Sequence, residues 1–425
     1  MKVEVVTIGN ELLLGFTVDT NAAHLARELA EIGVEIARRS TVGDSASDIA
    51  AAVREGLDRS DGVITTGGLG PTSDDMTKPS IAALFGREMI RDEAVVQSLH
   101  ERWARMRRKG PIPESNFGQA MIPEGAVIIP NGHGSAPGIW LEDERGRWVA
   151  MLPGVPREMR AMVSEQLIPR LSSRLNGGEE RVAAGASRPV IISRTLRTTG
   201  IAESALADLL GDVGRSIDGM SPAFLPAVEG VDIRLTSRDL PKAEAMARLE
   251  RALVKLRKVI GRYVYAEEST DLASVVLDLC REKGIRVAVA ESCTGGLLGA
   301  RITAIPGSSD VFLGGVLAYD NSVKIEMLGV ERDAIETNGA VSEPVAVAMA
   351  RGVRARLSAD VGISITGIAG PDGGTEEKPV GTVWIALDGK ASAVLGVRLF
   401  GDRAEVRARS AQAALDLLRR QLQSD

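Results

Sequence analysis

Apolar and polar positions alternate in blocks along the chain, and each block predicts an element. VEVVTIG (Val3–Gly9) reads as a nearly continuous apolar run, the pattern of a strand buried on both faces. NAAHLARELAEIGVEIARRSTVG then gives a helix with Leu25, Leu29 and Ile32 on one face, followed by a short strand. DIAAAVREGLDRS is the next helix and DGVITTGG the next buried strand. Strand and helix alternating through short links predict a parallel, doubly wound α/β sheet over residues 1–170. Ligands of such sheets gather at the carboxyl ends of the strands, where this segment carries its glycine-rich loops.

A polar, small-residue link, RLSSRLNGGEERVAAGASRP, opens a middle segment over 171–262. VIISRTLRTTG, a helical IAESALADLLGDV, a strand GVDIRLTS and a long helix PKAEAMARLERALVKLRKVIG predict a small α+β domain. It carries no catalytic constellation, so a scaffold or dimerisation role is expected. Residues 263–425 form a second α/β unit. A helix STDLASVVLDLCREKG precedes the strand IRVAVA and the loop ESCTGG, and an amphipathic helix closes the chain.

A length of 425 residues fits two to four domains. Aromatics are 3 % and the net charge is −6, which argues against a nucleic-acid binder. The basic run RWARMRRKG (Arg102–Gly110) is read as a solvated helix face. Two cysteines, Cys280 and Cys293, build no disulfide framework and fit a reducing cytoplasm. No signal peptide or membrane span is expected, so the protein is expected to be cytoplasmic.

AVAESCTGGLLG (Ala288–Gly299) sets Ser292, Cys293 and Thr294 side by side where a buried strand meets a helix. Backbone N–H groups at such a junction suit an oxyanion, and Gly295 and Gly296 permit close approach of a substrate. The bland alternative is that Ser or Thr simply caps the helix. All three histidines, His24, His100 and His133, lie in the first segment, so no Ser–His–Asp set can form within the last. Lys324 of AYDNSVKIEMLG is the candidate base, with Tyr319 and Thr366 supplying hydroxyls. Ser292 is favoured as nucleophile. Cys293 reads as a small buried hydrophobe and Thr294 as a cap or support.

In the first segment, ITTGGLGPTSDDMTKPSIAALFG (Ile64–Gly86) joins a buried strand to a helix. Gly67, Gly68 and Gly70 make room for a phosphate, and Asp74 and Asp75 suit a hard divalent ion, unless they only begin the helix. Lys78 either neutralises phosphate charge or pairs with those acids. Asn10 and Glu11 close the first strand. Asn131 of IPNGHGSAPGIW and Gly154 of MLPGVPREM lie on two further glycine/proline loops of the same rim.

AESCTGGLL, GGVLAYDNSVK, GAVSEPVAVAMA and TGIAGPDGGTEEKPVGTVWIA occur in the order of the CinA C-terminal domain, and the last 160 residues, roughly, resemble it. GNELLLG, DTN, TTGGLGPTSDDMT, PNGHGSAPG and LPGVPREM resemble the molybdopterin-binding (MoaB/MogA-like) domain that begins CinA proteins, with a KH-like domain between the two. The resemblance implies a nicotinamide mononucleotide deamidase in the last segment, with Ser292 as nucleophile, Lys324 as base, and Arg403 on the substrate phosphate. No cofactor is implied there. For the first segment it implies an ADP-ribose pyrophosphatase dependent on a divalent metal (Mg, Mn or Co); relatives of that fold bind and adenylylate molybdopterin instead. A homodimer is expected from the family. Asp320 stands where the family pattern has a serine, and a carboxylate there predicts a higher Lys324 pKa and a weaker base. A nucleotide sensor with inactive sites is the alternative from another class.

Overall fold

Val5, Ile64 and Val289, the centres of three predicted strand runs, are at most 2 % exposed and lie in the middle of two sheets. The computed structural model describes residues 1–72, 74–106, 110–176 and 189–424. Parts of the basic run and of the first link, 107–109 and 177–188, fall outside the described residues. The chain divides into two units, Met1–Ile192 with Ser237–Met246, and Ser193–Thr236 with Ala247–Asp425.

The first sheet has six strands in the order Glu35–Val42, Lys2–Ile8, Gly62–Thr66, Trp148–Leu152, Gly138–Glu142, Val127–Ile129. Its first four strands are parallel, as expected, but the last two join antiparallel. The expected all-parallel sheet is therefore mixed, because DERGR (Asp143–Arg147) is a hairpin link too short for a crossover. Alternate side chains face opposite layers. Val6, Ile8 and Val63 pack with Ile49, Val53 and Ile81, whereas Val3, Val5 and Ile64 pack with Leu25, Leu29 and Met159. Each fully buried aliphatic contributes about 1.5–3 kcal/mol. Trp148 stacks on Trp140 with centroids 4.3 Å apart, and its indole fills the space beside Gly62 that a Cβ would occupy.

A four-stranded sheet follows, in the order Ala223–Ala227, Gly230–Pro241, Pro189–Thr198, Val264–Glu267. The helix Lys242–Ile260 buries Leu249, Leu253, Leu256 and Ile260 at helical spacing. Two expected boundaries shift. The strand Val264–Glu267 pairs with Pro189–Thr198, so the middle domain runs past 262. Leu171, in the helix Ile168–Asn176, is packed in the first core, so that domain runs past 170.

The last sheet is ordered Phe312–Leu317, Val287–Glu291, Val361–Gly367, Thr382–Gly389, Ala393–Arg398. Its first three strands are parallel and its last two antiparallel. Helices Leu272–Lys283 and Arg403–Gln423 cover one face. Glu343–Leu357 covers the other. Among the described residues no helix is long and apolar enough to cross a membrane.

Candidate active site

The parallel ladder of the last sheet pairs Glu291 with Ile365 and continues into the loop, where Ser292 N–H donates to the Ile365 carbonyl at 2.9 Å. Ser292 and Thr366 therefore leave adjacent strands together. Ser292 is 8 % exposed, and its hydroxyl has no hydrogen-bond partner among the described residues. Thr366 is buried and its hydroxyl donates to the Ala340 carbonyl at 2.8 Å. Gly296 takes φ +92° at the start of the helix Leu297–Thr303, with Leu317 Cδ2 3.3 Å from where a Cβ would sit.

The helix start is not capped as expected. Thr294 is buried with its hydroxyl unpartnered, and the cap is the carboxylate of Glu291. It accepts from Gly296 N–H at 3.1 Å, Leu298 N–H at 3.0 Å and Gly299 N–H at 2.8 Å. A charged acceptor at the positive end of a helix outcompetes a hydroxyl. The helix N–H groups are thereby removed from any oxyanion role. Cys293 and Thr294 N–H make no backbone hydrogen bond and face the Cys293 thiol. Arg407 braces the same loop through the Thr294 carbonyl, at 3.2 and 2.7 Å. Glu291 and Arg407 were not singled out from sequence; the available signal for Glu291 was an acid ending an apolar run.

Lys324, on the helix Asn321–Leu328, is 1 % exposed. Its amine donates to the carbonyls of Ala318 at 2.9 Å and Tyr319 at 3.2 Å. The two carbonyls occupy two of the amine's bonding directions and leave the remaining one for a substrate or the serine. Burial lowers the Lys324 pKa, against smaller opposing effects of Asp320 and Cys293. The expected raising by Asp320 is thus outweighed. That carboxylate is spent as the helix cap, accepting from Ser322 N–H at 2.8 Å and Ser322 Oγ at 2.7 Å. Burial pushes the Cys293 thiol up to about 11, which suits a buried hydrophobe and not a thiolate. No hydrogen bond joins Ser292 to Lys324 among the described residues. Such contacts are often long before substrate binds and tighten in the complex.

Tyr319 is exposed, and its hydroxyl accepts from Arg403 Nη2 at 3.1 Å. Arg403 Nη1 donates to the Gly370 carbonyl at 2.7 Å. The pair forms a solvent-facing rim, and the Tyr319 hydroxyl is engaged with Arg403 there. The Gly295 position is open apart from Arg407 Nη2 at 3.6 Å.

In the first domain, a cavity of about 550 Å³ lies over the strand ends. Glu11, Gly67, Gly68, Gly70, Asp74, Asp75 and Gly154 line it. Gly67 has φ +106°, and a Cβ there would stand 2.2 Å from the Ile8 carbonyl oxygen. A Cβ on Gly154 would lie 3.4 Å from Gly67 Cα, so the two glycine loops touch. Three expected roles change. Both oxygens of Asp75 are occupied by its own loop, accepting from Gly70 N–H at 2.7 Å, Thr72 N–H at 2.9 Å and Thr72 Oγ1 at 2.6 Å. Lys78 is buried and donates to the carbonyls of Gly118 at 2.8 Å and Gln119 at 3.2 Å; burial brings its pKa down to about 8. Asn131 shapes its own loop, accepting from His133 and Gly134 N–H and donating to Glu158 and the Ala136 carbonyl. Asn10 is exposed beside Asp44, which accepts from its N–H at 3.0 Å.

Asn21 was missed. Its side chain is 7 % exposed and lines the cavity; Nδ2 donates to the Gly154 carbonyl at 2.7 Å, while Oδ1 is buried and unpartnered. Among the described residues no group of three His, Cys, Asp or Glu is disposed to hold an ion, so side chains alone build no closed metal cage. Asp74 is exposed on the cavity rim, where a single carboxylate would share a divalent ion with substrate phosphates.

Fold and loops together define a three-domain α/β protein with a molybdopterin-binding-type head. Residues 4–173 match the probable molybdopterin binding domain, 193–266 the damage-inducible protein CinA KH domain, and 269–422 the CinA C-terminal domain. A CinA-like protein of Gemmatimonas aurantiaca is 58 % identical over 423 residues, 99 % of this chain and 96 % of that one. A putative competence-damage inducible protein of Moorella thermoacetica is 42 % identical over 427 residues, covering 100 % and 99 %. A solved structure described as the protein CinA with unknown function, from Thermoplasma acidophilum, is 36 % identical and covers 39 % of this chain and 97 % of its own, with a TM-score of 0.37. The chain belongs to the CinA family.

Proposed function

We propose that the C-terminal domain is a serine–lysine amidohydrolase that converts nicotinamide mononucleotide to nicotinic acid mononucleotide and ammonia. The observation that carries this reading is a buried lysine amine held by two carbonyls, its pKa lowered by burial and close enough to the Ser292–Cys293 loop to be acted on by Cys293, where the serine hydroxyl has no partner among the described residues. Ser292 Oγ attacks the carboxamide carbon while the neutral Lys324 amine takes its proton. The carbonyl oxygen becomes an oxyanion, a stronger acceptor than the Cys293 thiol for the Cys293 and Thr294 N–H groups. Collapse expels ammonia, which receives the proton from Lys324. A water deprotonated by Lys324 then cleaves the seryl ester. Arg403, with Tyr319, would hold the phosphate at the rim by a charge-assisted contact. In the test, purified protein should release ammonia and nicotinic acid mononucleotide in equal amounts from nicotinamide mononucleotide. A folded protein releasing neither would sink the reading and favour a sensor that binds without turnover.

For the first domain we propose a nucleotide-pyrophosphate site whose substrate is ADP-ribose, hydrolysed to AMP and ribose 5-phosphate. Support comes from the two touching glycine loops and from the unpartnered Asn21 Oδ1, an acceptor suited to a ribose hydroxyl. Appearance of AMP from ADP-ribose, assayed with Mg, Mn or Co, tests it. Binding without AMP under every condition would reduce this half to a sensor.

A further inference from the structure

A second cavity, of about 680 Å³, lies within the second unit, between the 199–203 and 226–231 segments of the middle domain and one face of the C-terminal helix. Leu395, Val397 and Leu417 give it apolar walls. Two polar groups and an exposed aromatic ring stand out against them. Gln412 is 3 % exposed, and neither Nε2 nor Oε1 has a hydrogen-bond partner. Arg409, one turn earlier on the same face, has a buried Nε without an acceptor and forms no ion pair among the described residues. Phe400 is 69 % exposed at the edge, with the Arg398 guanidinium 5.6 Å from its ring centroid.

The acids lining the cavity form no ion pair with Arg409. Asp416 is paired with Arg419 at 2.7 Å and Arg420 at 2.6 Å, Glu229 with Arg197 at 3.2 Å and Arg301 at 3.3 Å, and Glu203 stands exposed at the rim. A buried amide with both atoms idle is stabilised only when something supplies a donor and an acceptor together. A half-buried guanidinium without a carboxylate partner favours an anion. A ligand answering both carries a planar donor–acceptor edge and a negative group a few ångströms away, with a ring face for Phe400. We propose that this cavity binds a nucleotide, its base edge on the Gln412 amide and its phosphate on Arg409. Glutamine pairs in this way with the adjacent acceptor and donor of an adenine edge, and the volume is in the range of small-ligand pockets. The site is separate from the Ser292 loop and from the first-domain cavity, and does not rest on either proposed activity.

The experiment is hydrogen exchange on the full chain with AMP, adenosine and inorganic phosphate as probes. AMP should protect the 226–231 and 409–420 segments. Affinity for AMP at that site should fall about tenfold or more in Gln412→Met and in Arg409→Met, the loss of one bonded group. Adenosine should bind more weakly than AMP in the wild type and equally in Arg409→Met. Protection confined to the 66–75 loop overturns the proposal, as does unchanged AMP affinity in a Gln412→Met protein of raised Tm, which would make the cavity a packing fault. Protection without ligand that grows with protein concentration would assign the surface to a second copy instead and also overturns it. If either variant fails to fold, the wild-type protection pattern and the AMP–adenosine difference decide.

Discussion

The two glycine loops at the strand ends are built alike and differ in one hydroxyl. In each, a carboxylate takes up loop or helix N–H groups: Glu291 binds those of Gly296, Leu298 and Gly299, and Asp75 those of Gly70 and Thr72. In each, a buried lysine donates to two successive carbonyls and its pKa is lowered by burial. The hydroxyls part company. Thr77 donates to the Gly67 carbonyl at 2.9 Å, whereas Ser292 has no partner. In both places the carboxylate holds the glycine loop and the lysine holds a neighbouring segment, 318–319 or 118–119. A free hydroxyl beside that lysine makes chemistry available. The comparison also shows why Asp75 is a poor metal ligand: both its oxygens are already the loop's internal acceptors.

This contrast can be broken at several points. The largest effect is expected from Lys324→Met, which should lower ammonia release by about 10³-fold if the amine is the base; Lys78→Met should leave ammonia release unchanged, and equal loss in both would erase the distinction. Next comes Glu291→Gln, which keeps the shape but turns an NH2 toward backbone N–H groups. It should lower kcat about 10–100-fold with KM little changed and cost about 2–3 kcal/mol of stability, read by denaturant titration. Were stability to drop with kcat intact, Glu291 would only hold the fold.

pH dependence sharpens the point. The base must be neutral, so activity should rise with pH through the lowered Lys324 pKa, below the ordinary lysine range. Asp320 opposes that lowering, so Asp320→Ser, which preserves a helix cap, should move the rising limb to lower pH. A limb moving upward would contradict the assignment. Because Asp320 is exposed, the shift should shrink in high salt. The smallest effect concerns the metal: ADP-ribose binding, measured by calorimetry, should survive EDTA, since side chains of the described residues build no ion cage.

The C-terminal candidates could be singled out because they sit where patterns are strong. Ser292 follows a buried strand and precedes two glycines, and the absence of histidine from that segment left Lys324 as the candidate base. Glu291 was hidden in plain view. A terminal acid on a strand looks like a solvent rim, and only its three N–H partners identify it as a cap. Asp75 was misread for the converse reason: paired acids after a glycine loop match a metal motif, and nothing in their spacing reveals that Gly70 and Thr72 consume both oxygens. Lys78 carried the same ambiguity, since a turn of helix separates it from the acids whichever way its amine points. Asn21 and Gln412 were invisible because idle buried amides are a property of packing, not of pattern. The antiparallel sheet edges escaped through their short strands, such as Val127–Ile129.

The most direct measurement is ammonia release from nicotinamide mononucleotide by Ser292→Ala and Cys293→Ala proteins beside the wild type. The account predicts loss on the order of 10⁴-fold or more for Ser292→Ala and little change for Cys293→Ala. Retained activity in Ser292→Ala, or loss in Cys293→Ala alone, would contradict the claim that the free hydroxyl beside the buried lysine is the nucleophile.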